Sequence, residues 1–154
     1  VKGCQRACQS VMNELTAEGI PFDPETGIGI MIETPSSVFI AEDLAKYVDF
    51  FSVGTNDLTQ CTLACDRQAN DLGKFYDPHH PAVLRALKMA ADAAHNAGIW
   101  IGICGELGAD LSLLPTFLAL GIDELSVTPN AVLPLRAAIR KSIAATCTLE
   151  MLEC

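Results

Sequence analysis

An amide, a carboxylate and several hydroxyls follow a glycine in the stretch Asp-Phe-Phe-Ser-Val-Gly-Thr-Asn-Asp-Leu-Thr-Gln at residues 49–60. The stretch starts as a short apolar run, typical of a buried parallel strand, and the run breaks at Gly54. Folds that alternate strands and helices place their chemistry just beyond the C-terminal ends of such strands. Asn56 and Asp57 are therefore the first candidates for a functional site.

Two further apolar runs end in a side chain that can do chemistry. Residues 29–32 lead into Glu33, and residues 99–103 lead into Cys104. Because adjacent strands lie about 4.8 Å apart, carboxylates at neighbouring strand ends can share a small cation. Mg²⁺ is typically held by one or two carboxylates plus substrate oxygens, so Glu33 and Asp57 fit a magnesium site. The alternative is that Glu33 caps the following helix and Asp57 forms a turn.

Cys104 and Arg67 each allow two interpretations. A lone cysteine is most often a small buried core residue. Neighbouring carboxylates disfavour a thiolate, however, and a protonated thiol at a strand end suits a general acid better than a nucleophile. Arg67 can hold a phosphate through two parallel hydrogen bonds, or it can be a solvated loop residue. The three histidines lie in a proline-rich turn or near a helix end, and we interpret them as structural: His79, His80 and His95.

The elements that must position these side chains alternate along the chain. After a helix over residues 4–18, strands are predicted at 29–32, 50–53, 99–103 and 125–127, and helices at about 36–48, 81–98, 111–120 and 133–143. Ser36 or Ser37 is the predicted cap of the second helix. The long connection over residues 54–80 is expected to be functional or to carry a short helix.

Strands that alternate with helices of this length indicate parallel βαβ units with right-handed crossovers. The chain contains neither a Gly-x-Gly-x-x-Gly turn after a strand nor a Walker A pattern, which argues against nucleotide-binding folds. Four strand–helix units are half of an eight-stranded barrel. We therefore predict an α/β fold that forms half of a (β/α)₈ TIM barrel.

Composition limits the class of protein. The 154 residues carry a net charge of −9, which argues against nucleic acid or an anionic membrane as a partner. No apolar run approaches the roughly 20 residues that span a bilayer. The seven cysteines lack zinc-ligand spacing and suggest reduced thiols, so we expect a soluble, cytoplasmic protein. The chain starts at Val1 inside a predicted helix, and we expect it to be a piece of a larger protein.

Several long motifs resemble the phosphoenolpyruvate-utilising enzymes. They are Gly-Ile-Met-Ile-Glu-Thr-Pro at 29–35, the stretch at 49–60, Asp66-Arg67, Tyr-Asp-Pro-His-His-Pro-Ala-Val-Leu at 76–84 and Gly-Ile-Cys-Gly-Glu-Leu at 102–107. The resemblance extends to about Ser142. Within the family, the compact segment 76–84 favours the enzyme I branch of the bacterial sugar phosphotransferase system over the pyruvate phosphate dikinases and phosphoenolpyruvate synthases.

The resemblance implies the C-terminal half of a phosphoenolpyruvate-binding barrel. Carried over by position, Glu33 and Asp57 are Mg²⁺ ligands, Asn56, Asp57 and Arg67 contact the phosphoryl group, and Cys104 protonates the enolate to give pyruvate. The family's phosphohistidine domain and the first half of the barrel are not in this sequence. We therefore expect the isolated chain to be inactive, whereas its parent passes phosphate to a histidine and then to a phosphocarrier protein.

Two expectations follow from a half-barrel. The first and last strands lack their barrel neighbours, and bare strand edges promote pairing, so we predict self-association as a homodimer. A half-barrel that is expressed as such can also serve as a non-catalytic binding module, which is the alternative from a different functional class.

Overall fold

A computed structural model of the chain describes residues 1–68 and 75–142. Helices and strands alternate along the chain, as the apolar periodicity predicted. The elements are α1 (Lys2–Glu18), β1 (Gly29–Ile32), α2 (Pro35–Phe39), α3 (Ala41–Ala45), β2 (Phe50–Gly54), α4 (Thr55–Leu63), α5 (Pro81–Ala97), β3 (Trp100–Cys104), a 3₁₀ turn (Glu106–Ala109), α6 (Leu114–Ala119), β4 (Glu124–Ser126) and α7 (Pro129–Lys141).

The four strands form one parallel sheet in the order β1-β2-β3-β4. Sequential parallel strands joined by helices are the repeating unit of a βα barrel. The predicted fold class is therefore confirmed: an α/β chain whose sheet is consistent with part of such a barrel.

One face of the sheet is the hydrophobic core. Five side chains of β1, β2 and β3 point toward the helices and are 0–1% exposed: Ile32, Phe51, Val53, Ile101 and Ile103. Helix α5 covers this face with the predicted apolar stripe, in which Leu84, Leu87 and Ala91 are each 1% exposed. Because burial of these side chains requires this register, the side-chain direction at every strand end is fixed as well.

The other face of the sheet is open. Phe50 of β2 stacks on Trp100 of β3 with ring centroids 4.2 Å apart, yet Trp100 is still 40% exposed and Met31 of β1 is 44% exposed. In a complete βα barrel this face would point into the barrel interior, which layers of side chains fill. The exposure of these large apolar side chains agrees with a sheet that is only part of a barrel.

The predicted boundaries are wrong at three helices. The helix predicted over residues 36–48 is divided at Ile40 into α2 and α3. Its N-cap is Thr34 rather than the predicted Ser36 or Ser37, and the Ser37 side chain completes a capping box with Thr34. The helix predicted over 111–120 is reduced to α6. Helix α7 begins at Pro129, four residues before the predicted start, because a proline in the first turn has no amide hydrogen bond to lose.

The long connection after β2 contains the main addition to the predicted elements. Helix α4 begins at Thr55 directly after the strand, with Gly54 as its N-cap, so Asn56 and Asp57 lie in a first helical turn rather than in a loop. Residues 69–74 of this connection lie outside the described residues.

Helix α1 lies apart from the core. None of its residues is buried, and its apolar side chains line a shallow groove of about 400 Å³ together with Phe22. In the described ranges, no helix combines the length and apolarity that a bilayer crossing requires.

Candidate active site at the carboxyl ends of the strands

The carboxyl ends of the four strands form one continuous rim. Gly54 pairs with Cys104, and Cys104 pairs with Ser126, so these residues lie side by side on β2, β3 and β4. Glu33 follows the last paired residue of β1, and its carboxylate oxygen Oε2 lies so close to Gly54 that a Cβ there would be 3.0 Å away. The strand ends therefore bring Glu33 and Cys104 to the two sides of Gly54.

Asn56 is held by the neighbouring strand end. The backbone N–H of Glu106 donates to Asn56 Oδ1 at 3.3 Å, and Tyr76 Oη donates to the Asn56 carbonyl oxygen at 3.2 Å. A backbone N–H can only donate, so this contact fixes which amide atom is the oxygen and leaves the Nδ2 amino group as a donor. The side chain is thus prepared to donate hydrogen bonds to an anion.

Asp57 and Arg67 face each other across the start of α4. Arg67 Nη2 lies 3.7 Å from Asp57 Oδ1, and the two side chains are 35% and 48% exposed. Asp57 lies in the first turn of α4, where the helix dipole favours a carboxylate, rather than in a loop turn. Exposed ion pairs contribute about 0–1 kcal/mol, so both groups can exchange this partner for a ligand at little cost.

A cleft of about 440 Å³ lies beside Asn56 and Arg67. Asn56, Arg67, Gln68, Tyr76 and Glu106 line it. A second cleft of about 400 Å³ opens on the other side of Asn56 toward the end of β4, where Ser126 and Thr128 contribute hydroxyls. The predicted Asn56 and Arg67 therefore share one polar cleft at the rim.

Cys104 is partly buried rather than sealed in the core. Its sulfur accepts a hydrogen bond from Ser52 Oγ at 3.4 Å, and its carbonyl oxygen accepts one from Thr55 Oγ1 at 3.2 Å. The interpretation as a fully buried core cysteine is therefore wrong. The thiol lies beside Gly54, within the row of strand ends.

Glu33 does not cap the following helix, since Thr34 does. Its carboxylate makes no hydrogen bond or ion pair with the described residues. Those residues contain no group of three or more His, Cys, Asp or Glu side chains that could hold a metal ion. Glu33 and Asp57 thus offer two carboxylates, a donor set that fits Mg²⁺ when substrate oxygens complete its coordination.

Gly105 allows the two strand ends to approach each other. Its φ of 110° lies in the region that side chains avoid, and a Cβ there would lie 2.7 Å from Thr55 Oγ1 and 3.3 Å from Asn56 Oδ1. The glycine therefore brings the β3 end against the start of α4 and keeps Asn56 in its bonded position.

Replacing Gly105 by alanine is expected to lower the free energy of unfolding by about 1–3 kcal/mol, the cost of a strained backbone conformation. Chemical denaturation of both chains measures this difference. Gly108→Ala is the matched control, because its φ is not positive and a Cβ there would meet its nearest neighbour at 3.4 Å. Equal losses in the two variants would contradict the role given to Gly105.

Each histidine contacts another group of the chain, which agrees with the structural roles predicted for them. His79 Nε2 lies 2.6 Å from Asp110 Oδ2, His80 Nδ1 accepts from Ala82 N, and His95 Nε2 lies 3.1 Å from the Gly121 carbonyl oxygen. Hydrogen bonds from Ser112, followed by the contact with His79, lower the pKa of Asp110. The contact between His79 and Asp110 ties segment 75–80 to the connection after β3.

Tyr76 and Ser52 are site residues that the sequence analysis missed. Burial raises the pKa of Tyr76, so the phenol stays protonated and continues to donate to Asn56. Tyr76 lies within the recognised motif at 76–84, which was the available signal. Ser52 lies within the motif at 49–60, which offered the same kind of signal.

Comparison with known proteins identifies the family. Residues 1–144 match the family described as PEP-utilising enzyme, PEP-binding domain. The chain is 44% identical over 128 residues to a phosphoenolpyruvate-protein phosphotransferase of Priestia megaterium, a match that covers 83% of this chain and 22% of the relative. Proteins of the same name from Bacillus subtilis (strain 168) and Streptococcus equinus are 42% and 39% identical, over 83% and 88% of this chain.

This chain corresponds to only part of each relative. It spans 22% of the length of the Bacillus subtilis protein and 24% of the Streptococcus equinus protein. The match to the domain description covers nearly all of the chain, including every strand of the sheet and every residue of the rim. The chain therefore belongs to the phosphoenolpyruvate-utilising enzyme family and corresponds to its phosphoenolpyruvate-binding domain.

Proposed function

We propose that this chain forms part of the active site of a phosphoenolpyruvate-protein phosphotransferase. Such an enzyme moves the phosphoryl group of phosphoenolpyruvate to one of its own histidines and on to a phosphocarrier protein, as in bacterial sugar uptake, and it releases pyruvate in the cytoplasm. The observation that carries the proposal is the rim of neighbouring strand ends. Glu33, Cys104 and the start of α4 with Asn56 and Asp57 lie there, and Arg67 pairs with Asp57. The relatives' shared name favours this activity over that of a dikinase or synthase.

Glu33 and Asp57 would hold Mg²⁺ in this proposal. Both are hard oxygen donors, and Glu33 has no other partner among the described residues. When bound, the cation would neutralise phosphate charge and thereby favour transfer of the phosphoryl group. Asp57 would exchange its pairing with Arg67 for the metal, which leaves the guanidinium to the substrate.

Asn56 and Arg67 would bind the phosphoryl oxygens. The Asn56 amino group is a donor because its oxygen already accepts from Glu106 N–H. The guanidinium offers a planar pair of donors that matches two phosphate oxygens. Phosphoryl transfer depends mainly on positioning and charge neutralisation, and these two side chains supply both from one cleft.

Cys104 would supply the proton that completes the reaction. Loss of the phosphoryl group leaves the enolate of pyruvate, whose methylene carbon must take up one proton to become a methyl group. The partly buried thiol can give that proton, and water can restore it afterwards.

A chimera tests the proposed function. This chain replaces the corresponding region of the Bacillus subtilis relative, and pyruvate release from phosphoenolpyruvate is measured with the purified phosphocarrier protein present. Mg²⁺-dependent release that stops when the metal is chelated is the expected result. A folded chimera that binds no phosphoenolpyruvate and releases no pyruvate would contradict the proposal.

Substitution of Glu33 by glutamine in this chimera is expected to raise the Mg²⁺ concentration for half-maximal pyruvate release by roughly tenfold, because the amide keeps an oxygen but removes a ligand charge. A Mg²⁺ titration measures the change. Glu42→Gln is the matched control, since Glu42 is an exposed acid in the first turn of α3. A Glu33→Gln titration curve that overlays the control would exclude Glu33 as a ligand.

The isolated chain is expected to self-associate as a homodimer. Strands β1 and β4 end the sheet, and the apolar side chains of Met31 and Trp100 lie on its open face. Bare strand edges and exposed apolar area both favour association with a second copy. Light scattering across micromolar concentrations measures the mass, and a monodisperse monomer throughout would contradict the prediction.

A further inference from the structure

The sulfur of Cys104 has two hydrogen-bond partners, both on the neighbouring strand β2. Ser52 Oγ donates to Sγ at 3.4 Å, and the thiol donates to the Val53 carbonyl oxygen at 3.5 Å. The thiol is therefore held on both sides, once as an acceptor and once as a donor.

The position of Ser52 in the strand explains this contact. Ser52 pairs with Gly102, whereas Cys104 lies two residues further along β3, so both side chains point to the open face of the sheet. Gly102 has no side chain that could separate them. A partly buried hydroxyl in a strand interior needs a hydrogen-bond partner, and Ser52 finds it in the sulfur.

The two contacts favour different protonation states. A carbonyl that accepts from the S–H stabilises the neutral thiol, whereas a hydroxyl that donates to sulfur stabilises the thiolate more than the thiol. Val53 thus supports the state before proton donation, and Ser52 supports the state after it.

We propose that Ser52 is a positioning residue that orients the Cys104 sulfur and stabilises the thiolate formed when the thiol gives up its proton. The inference rests on the proposed function, in which the proton goes to the enolate carbon of pyruvate. The S–H bond breaks, a C–H bond forms, and the electron pair of the broken bond stays on sulfur. Water later returns a proton to the thiolate, so no oxidant or reductant is needed.

The pH profile of Cys104 alkylation tests this role in the 154-residue chain itself. Iodoacetamide reacts with the thiolate, and mass spectrometry follows the modification of each cysteine. Trypsin releases residues 89–136 as one peptide whose sole cysteine is Cys104, so the other thiols do not interfere. The measured quantity is the pH midpoint of alkylation.

Removal of the Ser52 hydroxyl is expected to raise this midpoint by roughly one pH unit, which slows alkylation about tenfold at a pH below it. Ser52→Ala removes the hydroxyl directly. Threonine and valine have matching shapes, but only threonine carries a hydroxyl. If the alanine variant does not fold, comparison of Ser52→Thr with Ser52→Val tests the role of the hydroxyl.

Ser126→Ala is the matched control. Ser126 pairs with Cys104 from the other side, on β4, but its hydroxyl makes no hydrogen bond to the sulfur. The account expects raised midpoints in Ser52→Ala and Ser52→Val, and the original midpoint in Ser52→Thr and Ser126→Ala. Unchanged midpoints in the first two variants, or an equal shift in Ser126→Ala, would overturn it.

The role proposed for Ser52 and the proposed function can be contradicted independently. If Cys104→Ala leaves pyruvate release by the chimera intact, Cys104 is not the acid of the reaction. If Ser52→Ala leaves the alkylation midpoint in place while Cys104→Ala stops pyruvate release, the acid is correct and only the role of Ser52 is wrong.

Discussion

Substitution of Cys104 by alanine is expected to reduce pyruvate release by the chimera roughly 10²–10⁴-fold, the contribution typical of a positioned general acid. The reason is that the enolate then has to take its proton from water. The thiol lies in the row of strand ends and is partly buried, so an alanine fits its place without a change in the sheet. Steady-state assays of pyruvate measure the loss.

Cys4→Ala is the control for this experiment, because Cys4 is an exposed thiol on α1, which contributes no residue to the rim. The control is expected to keep the activity of the unchanged chimera. Full activity in Cys104→Ala would show that another group donates the proton.

Loss of the Arg67 guanidinium is expected to lower kcat by roughly 10²–10³-fold, the magnitude found when one donor to a developing anion is removed. Arg67 lines the same cleft as Asn56 and pairs only weakly with Asp57, so its charge is available to a phosphoryl group. Arg67→Ala tests the charge. Arg67→Lys keeps the charge but removes the two parallel donors, and an intermediate rate is expected.

Arg140→Ala is the matched control, since Arg140 lies in the last turn of α7, far along the chain from the rim. Arg67→Ala is also expected to be stable, because the ion pair that it removes is exposed. A rate equal to that of the control would return Arg67 to the alternative interpretation, a solvated loop residue.

The strands and their functional ends could be predicted because they depend on local patterns. Short apolar runs that end in Glu33, Gly54 and Cys104 identify β1, β2 and β3, and parallel pairing then brings those ends to one edge of the sheet. The apolar stripe of α5 repeats at helical spacing and is buried as predicted.

The remaining features depend on contacts between distant parts of the chain. The hydrogen bond from Glu106 N–H to Asn56 joins residues 50 positions apart, and that from Ser52 to Cys104 joins residues 52 positions apart. No local sequence pattern predicts either hydrogen bond. The division of one predicted helix at Ile40 was missed as well, because residues 36–48 carry no glycine or internal proline to mark a break.

A Mg²⁺ site shared by Glu33 and Asp57 is the central prediction, and crystals of the chimera grown with phosphoenolpyruvate and Mn²⁺ test it most directly. Mn²⁺ prefers the same octahedral oxygen ligands as Mg²⁺, and its anomalous scattering marks its place. The account predicts a peak within about 2.2 Å of carboxylate oxygens from both Glu33 and Asp57, with the phosphoryl group between this ion, Asn56 and Arg67. A metal bound to other residues while Glu33 and Asp57 point away from the phosphoryl group would contradict it.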